Sequence, residues 1–319
     1  MKIKKSFHPF LVLLFVVLAS NQLRSQTNTT YNFLKLDVSA RANALAGSYI
    51  SATNDVNSIF YNPAGMSTLT GTQAAAGFYK YLLDINAGII SYGQRYKDAG
   101  YFGGAIRYIN YGSFEKFDEE SNSVGTFSAN EMALSLGYSN VYKNNFHYGV
   151  NLKFIYSGID VYSSTAIAGD FGVMYILPET QWNFALSLLN AGFQLSQYNN
   201  TTEDLPLDLR IGLSKKLEHL PLTVRFEFDD LTDDTGDFID RFKNLSVGGE
   251  FDFSENVKFR IGYDNGQRVN LETGSSLGLA GFSTGIGFKF LDDYTVDYAF
   301  NSLGNVGTTN TIDIHFAIK

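Results

Sequence analysis

Cysteine is absent from the chain. Without it there is no disulfide, no thiolate nucleophile and no cysteine metal site. Histidine is scarce, with 4 in 319 residues, and none falls in a Ser–His–Asp or clustered-ligand arrangement. Neither a hydrolytic triad nor a metal centre is expected, and no cofactor is called for. Positive charge is also in short supply: 24 Lys and Arg stand against 32 Asp and Glu, a net charge of −8. An acidic chain without clustered Lys and Arg lacks the footprint of a nucleic-acid partner. Past residue 26 no apolar run approaches the roughly twenty residues of a helical membrane span.

What the chain has instead is 30 Gly, 27 Phe and 20 Tyr, set in stretches of alternating polarity that read as β-strands. At the amino end, Lys2, Lys4 and Lys5 precede an apolar run at 10–19 and a polar stretch at 20–26. That is the layout of a secretory signal peptide, here assigned to residues 1–25. Cleavage after Ser25 removes Lys2, Lys4, Lys5 and Arg24, so the charge goes from −8 to −12.

From about residue 72 the period is two. In 146–156, Phe146, Tyr148, Val150, Leu152, Phe154 and Tyr156 share one face, while His147, Gly149, Asn151 and Lys153 share the other. In 222–229, Leu222, Val224, Phe226 and Phe228 oppose Thr223, Arg225, Glu227 and Asp229. Successive side chains of a strand point to opposite faces, so each segment has an apolar and a polar side. A periplasmic β-sandwich alternates in the same way. Three features favour a membrane barrel over it: segments close to the length of a tilted spanning strand, aromatics near segment ends, and connections that alternate short and long. Strands are expected near 72–82, 84–96, 100–110, 126–139, 145–156, 164–177, 181–189, 206–216, 221–229, 244–253, 257–263, 278–290, 293–301 and 308–318. Fourteen is an even number, as closed bacterial barrels have. Long loops are expected at 111–125, 157–163, 190–205, 230–243, 264–277 and 302–307, short turns between them, and one exception at the first hairpin, around Leu83. The fold class is thus all-β: a 14-stranded antiparallel transmembrane β-barrel over 71–319, preceded by a short helical and plug segment over 26–70. Fourteen crossings would leave both termini on the periplasmic side of a bacterial outer membrane, with lipid as the first partner.

Residues 39–52, SARANALAGSYISA, are small and helix-compatible, and TNDVNSIFYNPAGM follows at 53–66. Asp55 and Asn57 suit turn or cap positions. Pro63 presets one backbone angle and restricts Asn62 to extended geometry. Gly65 can take a positive φ, and Phe60 and Tyr61 need cover. These six residues (Asp55, Phe60, Tyr61, Asn62, Pro63, Gly65) are expected to plug or brace the periplasmic end of the barrel. A small-residue segment, then the FYNPAG run at 60–65, then a barrel, resembles the FadL superfamily of outer-membrane barrels. Residues 31–66 resemble more closely the PorV/PorQ family, through FLKL at 33–36, SARANALAG at 39–47, Asp55 and FYNPAG. The carboxyl end, GFSTGIGFKF at 281–290 and LDDYTVDYAFNSLG at 291–304, is similar to that family's ending. The resemblance implies a non-enzymatic accessory to protein secretion of type IX, or to cell-surface assembly, with secretion-system or surface proteins as partners. The alternative it implies is a FadL-like transporter of a hydrophobic or small solute.

Charges recur on the polar faces of four consecutive strands: Asp208 and Arg210, Arg225 and Glu227, Glu250 and Asp252, Lys258 and Arg260. If these faces line the lumen, the charges sit on neighbouring strands where cross-strand pairing can hold them, so an ion-paired filling is expected, with a solute-gating constriction as the functional alternative. His147 and His315 read as ordinary strand residues. The acidic runs EKFDEE (115–120) and DDLTDDTGD (229–237) read as solvated loops, without the pattern of a calcium loop.

Overall fold

The segments of period two become fourteen strands that close on themselves. In the computed structural model, which describes residues 29–198, 202–233, 238–271, 278–291 and 293–318, they are β1 Thr72–Lys80, β2 Asn86–Tyr96, β3 Gly100–Phe117, β4 Ser123–Tyr142, β5 Phe146–Ile159, β6 Tyr162–Leu177, β7 Trp182–Ser196, β8 Asp208–Lys216, β9 Leu222–Phe228, β10 Leu245–Asp252, β11 Val257–Asp264, β12 Phe282–Phe290, β13 Tyr294–Ser302 and β14 Thr308–Ile318. The signal-peptide expectation lies outside the described residues, as do positions 234–237 of the second acidic run. Each strand pairs antiparallel with its sequence neighbours, and β1 meets β14 with Thr72 opposite Ile318, which closes the barrel. Closure is what lipid demands, because an open edge would leave backbone N–H and C=O groups unpaired at several kcal/mol each.

The alternation sorts side chains as strand geometry requires. On β5, Val150, Leu152 and Phe154 are exposed, while Asn151, Lys153 and Ile155 between them are buried in the lumen. At the end where β1 starts, ring contacts run around the outer surface: Tyr96–Phe102–Tyr138–Tyr148, Trp182–Phe184 and Phe290–Tyr294–Phe316. Such an aromatic girdle belongs at a membrane interface, where an apolar ring and a polar edge are both accommodated. An apolar band with its girdle is consistent with an outer-membrane location.

The loop pattern needs correction. Residues 111–125 are for the most part strand: β3 and β4 continue past an irregularity at Asn110/Ser113 and leave only Asp118–Asn122 as a turn. Residues 157–163 are likewise strand except for a two-residue turn at 160–161, and β7 runs on to Ser196. The physical reason is that backbone pairing continues along the extension whatever the side chains are, so the strand persists where strict alternation ends. Phe114 stacks on Phe127 across this extension at 5.3 Å, a cross-strand pair of the kind that holds such ribbons together. The connections that remain long, 197–207, 229–244 and 265–281, all leave the same end of the barrel. That end is called the long-loop end below, and the other the short-turn end.

Leu152→Arg, at a mid-strand position 55% exposed on the outer face, is expected to destabilise the barrel by about 2–4 kcal/mol. Urea titration of protein folded into lipid vesicles measures it, and an unchanged midpoint would argue against a lipid-facing Leu152.

Candidate functional site

Residues 29–71 run down the inside of the barrel. At the long-loop end Thr29 Oγ1 donates to the Asp204 carbonyl at 2.6 Å, and the Thr30 amide donates to Glu203 at 2.8 Å. Lys35 pairs with Asp230 at 2.6 Å and Asp233 at 3.4 Å. At the short-turn end Gln73 Nε2 donates to Asn54 Oδ1 at 2.9 Å, and Ser67 Oγ lies 2.6 Å from His147 Nδ1. The chain therefore crosses once through the lumen before it crosses fourteen times in the wall. A segment confined to one end is too small a picture: residues 53–66 occupy the short-turn half, and residues 29–50 reach from there to the long-loop end.

Short capped turns let this segment pack. Asp55 Oδ1 accepts from the Asn57 amide at 2.9 Å and so opens the 3-10 turn Val56–Phe60. Asn62 Oδ1 accepts from the Ala64 amide at 3.0 Å, with Pro63 in the first position of Pro63–Thr68, which needs no amide donor there. Asn62 Nδ2 reaches further, to the carbonyls of Ile50 at 3.1 Å and Val173 on β6 at 3.3 Å. Phe60 lies under the Arg107 guanidinium at 5.2 Å, and the Tyr61 hydroxyl accepts from the amides of Val38 and Ser39. Gly65 does not use a positive φ; it supplies space, since a Cβ there would sit 2.7 Å from Ser58 Cβ.

The wall makes room in the same manner. A Cβ on Gly149 would lie 2.4 Å from the Pro63 carbonyl carbon, and one on Gly262 would lie 2.4 Å from that of Leu45. Wall glycines thus mark where another backbone approaches closely. Ile59 and Met66 are completely buried against Gly103 and Gly137 of the wall.

The charged residues hold the segment as well as one another. Arg210 pairs with Asp208 at 2.5 Å and Glu227 at 3.5 Å, while Glu227 Oε2 accepts from the amides of Tyr49 and Ile50 at 2.6 and 2.9 Å. Glu250 accepts from Arg260 Nε at 2.7 Å, lies 3.6 Å from Arg225, and takes Arg41 of the segment through Nε at 2.9 Å and Nη2 at 2.8 Å. Arg260 extends to Asp297 at 2.5 Å. Arg41 Nη1 reaches Asp55 at 3.2 Å. Asp55 also accepts from the Tyr49 hydroxyl and the Asn57 amide, and its Oδ1 lies 3.8 Å from the His315 ring. Asp252 and Lys258, paired at 2.8 Å, sit half-exposed at the short-turn rim, where solvent screening leaves little net stabilisation.

Strand pairing alone thus misses the central partner. Arg41 is the only charge in residues 39–54, and a lone arginine among small residues is the signal that could have found it. Asp313, which accepts from the Ala40 amide at 2.7 Å, was missed too. Both histidines stand on strands, His147 on β5 and His315 on β14, and both also touch the segment: His147 contacts Ser67, and His315 lies 3.6–3.9 Å from Asp55, Asp297 and Asp313. Among the described residues no group of three or more His, Asp or Glu could hold a metal ion.

Two cavities flank the segment. One, of about 870 Å³, is polar and opens at the short-turn end between Arg41, Asp55, Arg225, Glu250, Asp252 and Lys258. The other, of about 510 Å³, lies at the long-loop end against the β3–β5 extensions, lined by Thr30, Tyr111, Phe114, Phe127, Glu131 and Ile159 among others.

No protein-family model and no curated protein matches the chain. Solved structures do. The Pseudomonas putida toluene transporter TodX superimposes with a TM-score of 0.60 at 12% identity, over 88% of this chain and 97% of that one. The Ralstonia pickettii toluene transporter TbuX gives 0.60 at 10% identity, over 88% and 98%. A Pseudomonas aeruginosa FadL homologue gives 0.56 at 11%, over 88% and 98%. The chain shares the fold of these solved barrels. This overturns the PorV/PorQ resemblance, and with it the type IX secretion accessory and its partner proteins. The reason lies in the motif: FYNPAG encodes two capped turns that pack a chain against glycines inside a barrel, and that geometry says nothing about secretion.

Removing Arg41 would leave Glu250 and Asp55 short of a buried partner, a loss of about 3–5 kcal/mol. Arg41→Ala, and separately a joint replacement of Asn62 and Pro63, are expected to loosen the segment. Limited proteolysis near residue 50 and raised conductance in planar bilayers measure this; a segment as protected as in the parent would show that these contacts do not hold it.

Proposed function

We propose that this chain is an outer-membrane transporter of a hydrophobic solute. The observation that carries the reading is the 510 Å³ cavity at the long-loop end. Its walls are chiefly aromatic and aliphatic, and its floor includes Thr30, where the luminal segment begins. Apolar cavities with a few placed polar groups are the usual form of small-molecule sites. The cavity thus sits upstream of a filled lumen, so passage to the polar cavity below requires the segment to shift. Likeness in fold to toluene transporters supports the same reading. In the orientation proposed, the long loops face outward, and Thr72 and Ile318 lie at the periplasmic face.

Proteoliposomes carrying the protein should take up toluene faster than protein-free vesicles. Ala129→Trp, which fills the cavity from β4, should bring uptake back toward the lipid-only rate. Equal uptake with and without protein would remove the transporter reading. For the orientation, a tag inserted at Asp118 should bind antibody on intact cells; labelling only after the outer membrane is broken would reverse it.

A further inference from the structure

The apolar cavity contains a charged group that its walls do not explain. Glu131 on β4 stands at its base, 4% exposed. Both of its oxygens accept from hydroxyls: Tyr111 OH reaches Oε2 at 2.5 Å, and Ser157 Oγ reaches Oε1 at 2.6 Å. Tyr198 OH in turn donates to Ser157 Oγ at 2.6 Å. No lysine or arginine is among the described residues lining the cavity. The charged pair on this extension, Lys116 with Asp160, is neutral as a unit, and Glu203, which holds Thr30, adds a second carboxylate nearby.

A carboxylate in such a place acts on a ligand in two ways. In surroundings of low dielectric it repels a second negative charge far more strongly than it would in water. It also keeps acceptor capacity, because an ionised carboxylate offers about four lone-pair positions and Glu131 is seen to use two. Around it the walls are ring faces, with Phe114 and Phe127 stacked and Tyr111 and Tyr198 beside them. Flat aromatic ligands pack well against such faces.

We infer that Glu131 sets the ligand class of this cavity: an uncharged aromatic solute carrying a hydroxyl donor, as in a phenol, with carboxylate-bearing amphiphiles rejected. The inference rests on the transporter reading and names its solute.

Three ligands that share one ring and one methyl group test it: p-cresol, p-xylene and p-toluate. They are titrated calorimetrically into the full-length protein in detergent at about pH 8, where toluate is ionised. The expected order is p-cresol tighter than p-xylene by about tenfold, the scale of a hydrogen bond to a charged group, and p-toluate weakest. Glu131→Gln keeps an acceptor but removes the charge, so the penalty on p-toluate should shrink about tenfold while p-xylene is unchanged. Toluate binding as tightly as xylene in the parent would overturn the inference alone, as would cresol binding no tighter than xylene; neither result needs the variant to fold. Failure of all three to bind would overturn the inference together with the transporter reading.

Discussion

A closed sheet of fourteen strands satisfies every backbone group in the wall but creates a lumen too wide for wall side chains to fill. The rest of the structure answers that constraint. The chain supplies the filling itself, as a crossing through the interior made of small residues and short capped turns. Wall and filling are cut to fit: glycines stand in the strands where Pro63 and Leu45 press closest. A covalently attached filler loses less freedom on docking than a separate one would, so modest contacts suffice to keep it in place.

Electrostatics gives the docked segment its position. Glu250 accepts from an arginine of the wall and an arginine of the segment, and Glu227 accepts two backbone amides of the segment. Buried charges are costly unless paired and hydrogen-bonded, so Glu250 and Glu227 keep their full set of partners only when the segment is in place. Uniform apolar packing would permit sliding; this network specifies one register. The same arrangement leaves the two ends of the lumen chemically different, polar at the short-turn end and apolar at the long-loop end.

That asymmetry places charged and polar side chains at one mouth of the lumen and mostly aromatic ones at the other. It also separates the parts of the molecule that can vary. The strand extensions β3–β5 shape the apolar cavity and lie at the opposite end of the barrel from the aromatic girdle, so residues there can change without disturbing the girdle.

Alternation along the strands determined much of this protein before any coordinate. The strand number, the closure and the inward or outward direction of residues such as Lys153 and Leu152 follow from a period of two and the demands of lipid. Asp55 was legible as a turn or cap residue, and Pro63 as a fixed angle that holds Asn62 extended, because such roles are local; the cap that Asn62 makes to Ala64 was not. The extension of β3 and β4 was not legible, since backbone pairing carries it past an irregularity at Asn110/Ser113 where the alternation of side chains breaks. Nor could pattern tell which partners the luminal charges take. Arg41 and Glu250 are 209 positions apart, and only the path of the segment through the barrel brings them together. The same holds for the apolar cavity, where Thr30, Tyr111, Glu131 and Tyr198 meet: each is unremarkable in sequence, and their conjunction depends on register between strands and on the path of the segment inside the barrel.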